Sequence, residues 1–189
     1  MTTGQMLLAA CAMALMGTII LSANSTLLEN DRVMMDSEFG VASISLATSL
    51  IEEVQGKLFD QAAIDSGITA LAQLTPLNSL GPETGESYHP PDTTMTDFND
   101  MDDFNGFWIE FVADTSKPQV ATYRGDARGF RADYYVRAKV EYALAGLGVA
   151  YFNGAALPTS SWHKKLTVTV TSPSSRDSLV FPIILSYWN

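Results

Sequence analysis

Residues Met6–Ala23 read MLLAACAMALMGTIILSA, apolar apart from Thr18 and Ser22, and this stretch decides what kind of molecule the chain is. As an α-helix it rises about 27 Å, close to the hydrocarbon thickness of a bilayer. The blank in charge is wider still: no Asp, Glu, Lys or Arg occurs before Glu29, and the first base is Arg32. Gly17 with Thr18, and the run Ser22 to Ser25, mark where such a rod is expected to loosen. A secretory signal or a signal anchor carries basic residues ahead of its apolar run, and Met1 to Gln5 (MTTGQ) carries none. The expectation is therefore that Met1 is a processed N-terminus from which a basic leader has been cut.

Past Leu28 the helical pattern continues. Leu27, Leu28, Met34, Met35, Phe39, Ile44, Leu46, Leu50, Ile51, Val54 and Leu58 recur largely at three- and four-residue steps, with charged residues between them. No proline precedes Pro76, so one helix from about Thr2 to about Phe59, roughly 85 Å long, is expected. That is too long for a small domain to bury. Residues 1–28 are read as a transmembrane or filament-core helix covered by lipid or by other subunits. Residues 29–60 are its amphipathic continuation, laying a stripe on a domain.

Residues 61–106 form an acidic, Pro/Gly-rich loop region, with one short helix near Ile68 to Leu74. Strand patterns follow at Phe107–Val112, Phe130–Tyr142, Leu166–Thr171 and Leu179–Tyr187. Residues 107–189 thus read as an antiparallel sheet of about four strands, with Pro182 placing the last strand at an edge or a bulge. The fold class is α+β, a long N-terminal helix packed by its second half on a C-terminal sheet, with residues 29–189 as one globular head.

Composition narrows the function. Eleven Lys+Arg against 21 Asp+Glu give a formal charge of −10, which disfavours nucleic acid as a partner. The single cysteine, Cys11, excludes an intramolecular disulfide and reads as a small hydrophobe within the apolar run. His89 and His163 are the only near-neutral bases, and no nucleophile elbow, phosphate loop or HExxH occurs, so an enzyme is not expected.

The acids are concentrated. Between Lys57 and Lys117 there is no base, and seven acids lie from Glu83 to Asp103. The densest part, DFNDMDDFNG over Asp97–Gly106, has the oxygen-rich, Gly-turned composition of a calcium loop, with Asp97, Asp100, Asp102 and Asp103 as candidate ligands. It is not an EF-hand, since Trp108 stands where the twelfth-position glutamate belongs. The preferred reading is that Arg124, Arg128, Arg131, Arg137 and Lys139 neutralise these acids, within one subunit or across subunits, with no cofactor expected unless calcium takes the loop.

Taken together, the uncharged start, the apolar first residue with Thr2, the polar position 5, the apolar span running into an amphipathic helix and the following sheet resemble a mature type IV pilin or pseudopilin. The motif part of this resemblance covers Met1 to Ser25. It implies cleavage by a prepilin peptidase and N-methylation at Met1. It also implies insertion in the inner membrane before assembly, an assembly machinery, and copies of the same chain as partners in an extracellular filament at the cell surface. Gln5 stands where the family usually carries a glutamate facing a neighbour's α-amino group; it can accept a hydrogen bond from that amine but cannot neutralise it. Gln5, Leu7, Leu8, Met13, Leu15, Ile19, Ile20 and Leu21 are the expected filament-core residues. Related pseudopilins can bind calcium, in a loop before the terminal strands. The other reading of the same features is a single-pass anchor for a periplasmic or extracellular binding domain.

Overall fold

The computed structural model describes residues 2–65, 67–88, 98–112, 114, 116–126, 132–143, 159–175 and 177–187. The chain divides into two compact units, Met1–Val41 and Ala42–Asn189. Helix α1 spans Thr3–Gln55 in one piece. The loosening expected around Gly17 to Ser25 does not occur: the helix is continuous there, and the hydroxyls satisfy themselves on carbonyls of the preceding turn. Thr18 Oγ1 donates to Leu15 O at 2.8 Å, and Ser25 Oγ and Thr26 Oγ1 donate to Ser22 O at 2.8 and 3.0 Å. The helix stops four residues before Phe59, at a glycine: the Gly56 amide turns in to the carbonyls of Glu52 and Glu53, both at 3.1 Å.

In the unit Ala42–Asn189 the last turns of α1 bury Ser43, Ala47, Leu50 and Val54, steps of four, three and four that share one face. Of the expected stripe, Ile44 and Leu58 are exposed instead, as are Leu27, Leu28, Met34 and Met35 in the unit before Ala42. The face in use carries two small residues, Ser43 and Ala47. Leu46, Leu50 and Glu53 of α1 line a common cleft with Phe107, Ile109 and Val136.

The class is α+β as expected, with a five-stranded mixed sheet in place of four antiparallel strands. The strands are β1 (Trp108–Val112), β2 (Tyr123–Asp126), β3 (Tyr134–Tyr142), β4 (His163–Thr171) and β5 (Leu179–Ser186), in the order β2-β1-β3-β4-β5. The added strand, β2, runs parallel to β1. Its sequence, YRGD, has a single residue of high strand propensity and so offers no pattern to read. Pairing explains it: Arg124 lies opposite Glu110 in register and forms an ion pair with it. Gly125 lies beneath the Phe111 ring, where a Cβ would come within 2.3 Å of a ring carbon. Strand β5 is an edge strand with Pro182 exposed on it.

Alternation along β3 and β4 buries Tyr134, Val136, Ala138, Val140 and Tyr142 against Leu166, Val168 and Val170. Lys164 falls in the same phase as those last three and is wholly buried. The segment before β1 is set by a different period. Phe98, Met101, Phe104 and Phe107 recur every third residue through the 3-10 turn Asp102–Phe104, and all four are buried. Tyr88 and Tyr123 join the three phenylalanines in an aromatic cluster with ring centroids 4.7–6.4 Å apart. Gly106, at φ +81°, makes the left-handed turn into β1, and its amide reaches Ala138 O at 3.2 Å. Asn105 fastens this corner, accepting the Val140 amide at 3.1 Å and donating to Leu80 O at 3.0 Å. The expected helix near Ile68 to Leu74 is a single 3-10 turn, Leu71–Gln73.

Candidate functional site

Three features of the chain bear on function: the exposed apolar surface of α1, a buried lysine with its acids, and a second group of acids without a base. In the unit Met1–Val41, Leu7, Leu8, Met13, Leu15, Ile19, Ile20 and Leu21 are 58–75% exposed, as are other apolar residues of this stretch. This one helix is long and apolar enough to cross a membrane. Met1 lies outside the described residues. Gln5 has a role within the chain: with Thr2 before the first helical residue, its Oε1 accepts the Thr2 amide at 3.3 Å, as the third helical residue does in half of a capping box. Cys11 is a free, exposed thiol on the same surface.

The buried lysine is assembled by a short parallel bridge. Leu58 N–H donates to Asn99 O at 3.3 Å and Met101 N–H to Leu58 O at 2.9 Å, pairing Leu58 with Asp100. Two residues on in each segment come Asp60 and Asp102, and between their carboxylates sits Lys164. Its Nζ donates to Phe59 O (2.7 Å), Asp60 Oδ2 (2.8 Å) and Asp102 Oδ1 (2.5 Å), using all three N–H bonds. The rings of Phe59 and Tyr142 lie 4.5 and 5.3 Å from the ammonium. Asp60 also accepts the Ala62 and Thr75 amides and the Thr75 hydroxyl. Burial works against its charge, but Lys164 and these donors outweigh it and hold the Asp60 carboxyl below its ordinary value. Asp102 has fewer donors, and burial pushes it up to about 6 in spite of Lys164.

The second group lies beside the first in sequence and, among the described residues, lacks a cation. One oxygen each of Glu83, Glu86 and Asp103 lie within 4.8 Å of one another. Asp103 Oδ2 accepts the Asn99 and Asp100 amides at 2.7 and 3.1 Å; Asp100 Oδ1 accepts the Asp102 and Asp103 amides at 2.7 and 3.3 Å. In each aspartate one oxygen is thus fixed by the loop backbone while the other, Asp103 Oδ1 or Asp100 Oδ2, is buried without a hydrogen bond. Glu83 Oε2 and Asn99 Oδ1 are bare in the same way. Burial, followed by the neighbouring carboxyls, raises Glu83 to about 8 and Asp100 to about 7, and burial also raises Asp103.

Among the described residues no Lys or Arg pairs with this second group. Arg124 is engaged by Glu110, Lys139 by Glu141, and Arg137 lies 4.2 Å over the Trp108 ring; Arg128 and Arg131 lie outside the described residues. Of the candidate calcium ligands, Asp100 and Asp103 belong to the second group, Asp102 turns to Lys164, and Asp97 lies outside the described residues. Glu83 and Glu86 lie 14 and 11 residues before Asp97, outside the Asp-rich run, and nothing in the sequence ties them to it. His163, at the start of β4, contacts Ser186 through Nδ1 at 2.6 Å, and His89 is not among the described residues. No protein-family model matches the chain, and no curated protein or solved structure matches it.

Proposed function

We propose that the chain is a structural subunit of a type IV pilus-like extracellular filament, in which the apolar halves of many α1 helices bundle while the β-sheet heads form the outside. The observation that carries this reading is a single helix whose residues before Glu29 are uncharged and exposed, and whose last turns belong to a folded α+β head. Bundling covers that surface at roughly 25 cal/mol per Å² of apolar area removed from water. The precursor sits in the inner membrane through the same segment. Met1 is the residue for processing and methylation, and Gln5 the hydrogen-bonding partner for a neighbour's N-terminus.

Electron microscopy of cells producing the chain tests the reading. Full-length protein should form filaments, and deletion of Met1 to Ser25 should abolish them and release a soluble head. Filaments of the same form from the truncated chain would overturn it. A full-length chain that stays in the membrane and never assembles would favour a single-pass anchor for an extracellular binding domain. Within a filament, Gln5→Glu should preserve or raise the yield, and Gln5→Leu should lower it by leaving an amine and the Thr2 amide unpaired. Equal yields from all three would remove Gln5 from the assembly contact.

A further inference from the structure

We infer that Lys164 and Asp102 join in an intramolecular amide bond, Nζ to Cγ, with Asp60 as the proton carrier, so that the 3-10 turn Asp102–Phe104 is covalently tied to the start of β4. The reacting groups are already gathered and shielded. Lys164, Asp60 and Asp102 are each 0% exposed, and the rings of Phe59 and Tyr142 lie 4.5 and 5.3 Å from Nζ. Nζ is 2.5 Å from Asp102 Oδ1. A nitrogen that close to a carboxyl oxygen is about 3–3.5 Å from the carboxyl carbon, the separation of a near-attack conformer. Asp102 Oδ2 is buried and bonded to nothing, which makes it the oxygen free to depart.

Two aspartates face one amine, and their surroundings divide the roles. Asp60 is held as a carboxylate by the Ala62 and Thr75 amides and the Thr75 hydroxyl, whereas Asp102 has fewer donors and, pushed up to about 6, takes a proton more readily. The bond then forms without a co-reactant. One proton passes from Nζ to the Asp102 carboxylate, leaving a neutral amine and a neutral acid. The nitrogen lone pair attacks Cγ, a second Nζ proton passes through Asp60 to Oδ2, and the Cγ–Oδ2 bond breaks with release of water. An ammonium and a carboxylate become an amide and one water, with no change in net charge and no oxidation. Asp60 keeps its Ala62 and Thr75 donors, and the new amide N–H faces it in place of the ammonium. A site this dry favours the loss of water over its return. The only cysteine, Cys11, lies in α1, so the head has no disulfide; an amide between residues 62 apart restricts the unfolded chain in the same way. The inference concerns the head and is independent of filament assembly.

The test is peptide mass spectrometry of the full-length chain, purified in detergent micelles, incubated at neutral pH, then denatured and digested. The segments containing Asp102 and Lys164 should appear as one branched peptide, lighter than their sum by one water, and tandem fragmentation should place the branch at Asp102. Recovery of both segments only as linear peptides of full mass would overturn the bond, and a branch at Asp60 would overturn the assignment to Asp102. The reading is taken on the unsubstituted chain, so it does not depend on any variant folding. Lys164→Arg should yield linear peptides only. Asp60→Asn, with the circular dichroism of the unsubstituted chain, should form the branch roughly 100-fold or more slowly; an unchanged rate would overturn the role of Asp60 as proton carrier.

Discussion

Asp102 and Asp103 are neighbours on one 3-10 turn, both wholly buried, and their surroundings are opposite. Asp102 meets the ammonium of Lys164 and shares it with Asp60. Asp103 meets two glutamates and two backbone amides. In the first group a buried cation is saturated by three acceptors, while in the second several acceptors face one another. Burial of charge is thus handled in two ways within a few residues, and each way responds differently when a charge is removed.

The largest effect should come from Lys164→Met, which keeps the volume and removes the cation. Two buried carboxylates are then left facing each other, and stability should fall by about 3–5 kcal/mol in urea unfolding of the full chain. Adding Asp102→Asn should recover part of that loss. A loss below about 1 kcal/mol would mean that Lys164 does not hold the two segments together.

The pH dependence separates the groups next. Asp60, held below its ordinary 3.8, contributes stability that is complete above that value and is lost as pH falls through its folded pKa. Glu83 and Asp100 carry the opposite sign. Raised from 4.5 to about 8 and from 3.8 to about 7, they favour the fold while protonated, and that contribution is lost as pH climbs from about 4 toward those values. Asp102, raised to about 6, adds to the same decline. In chelator, Tm should therefore be highest near pH 4–5 and fall toward pH 8; a Tm that rises across that interval would contradict the assignment of the two groups.

The smallest effect belongs to Asp100→Asn. The amide oxygen can still accept the Asp102 and Asp103 amides, and one like charge disappears, so stability in chelator should change by less than about 1 kcal/mol, in the stabilising direction. A loss comparable to that of Lys164→Met would show that Asp100 is paired with a cation even after chelation.

Reading these groups from sequence succeeds only in part, for reasons that particular residues make plain. The run from Asp97 to Asp103 is visible as a concentration of acids, yet nothing in it distinguishes Asp102 from Asp103. The strand pattern LTVTVT contains the missing clue: extended back by two residues, its inward phase falls on Lys164, and a lysine in phase with Leu166, Val168 and Val170 must find acids inside. Hydrophobicity along α1 points to Ile44, yet Ser43 and Ala47 are the buried residues, because the buried face of a helix is set by its phase against its neighbours and not by any one residue's apolarity. Strand β2 owes its existence to Glu110 and to the space beneath Phe111, neither of which its own four residues record.

The sequence by itself determined the uncharged apolar start, the continuation of one helix into the head, the α+β class and the alternation of β3 and β4. All of these are local, written in the spacing of apolar and charged residues along a few turns or a single strand. The tertiary structure alone decided which acids meet a base. Asp60, Asp102 and Lys164 are 42 and 62 residues apart and come together because the Leu58–Asp100 bridge sets two segments in parallel at the start of β4. A side chain's charge is a property of its residue type, but its partner is a property of the packing, and no periodicity within one element records a neighbour from another.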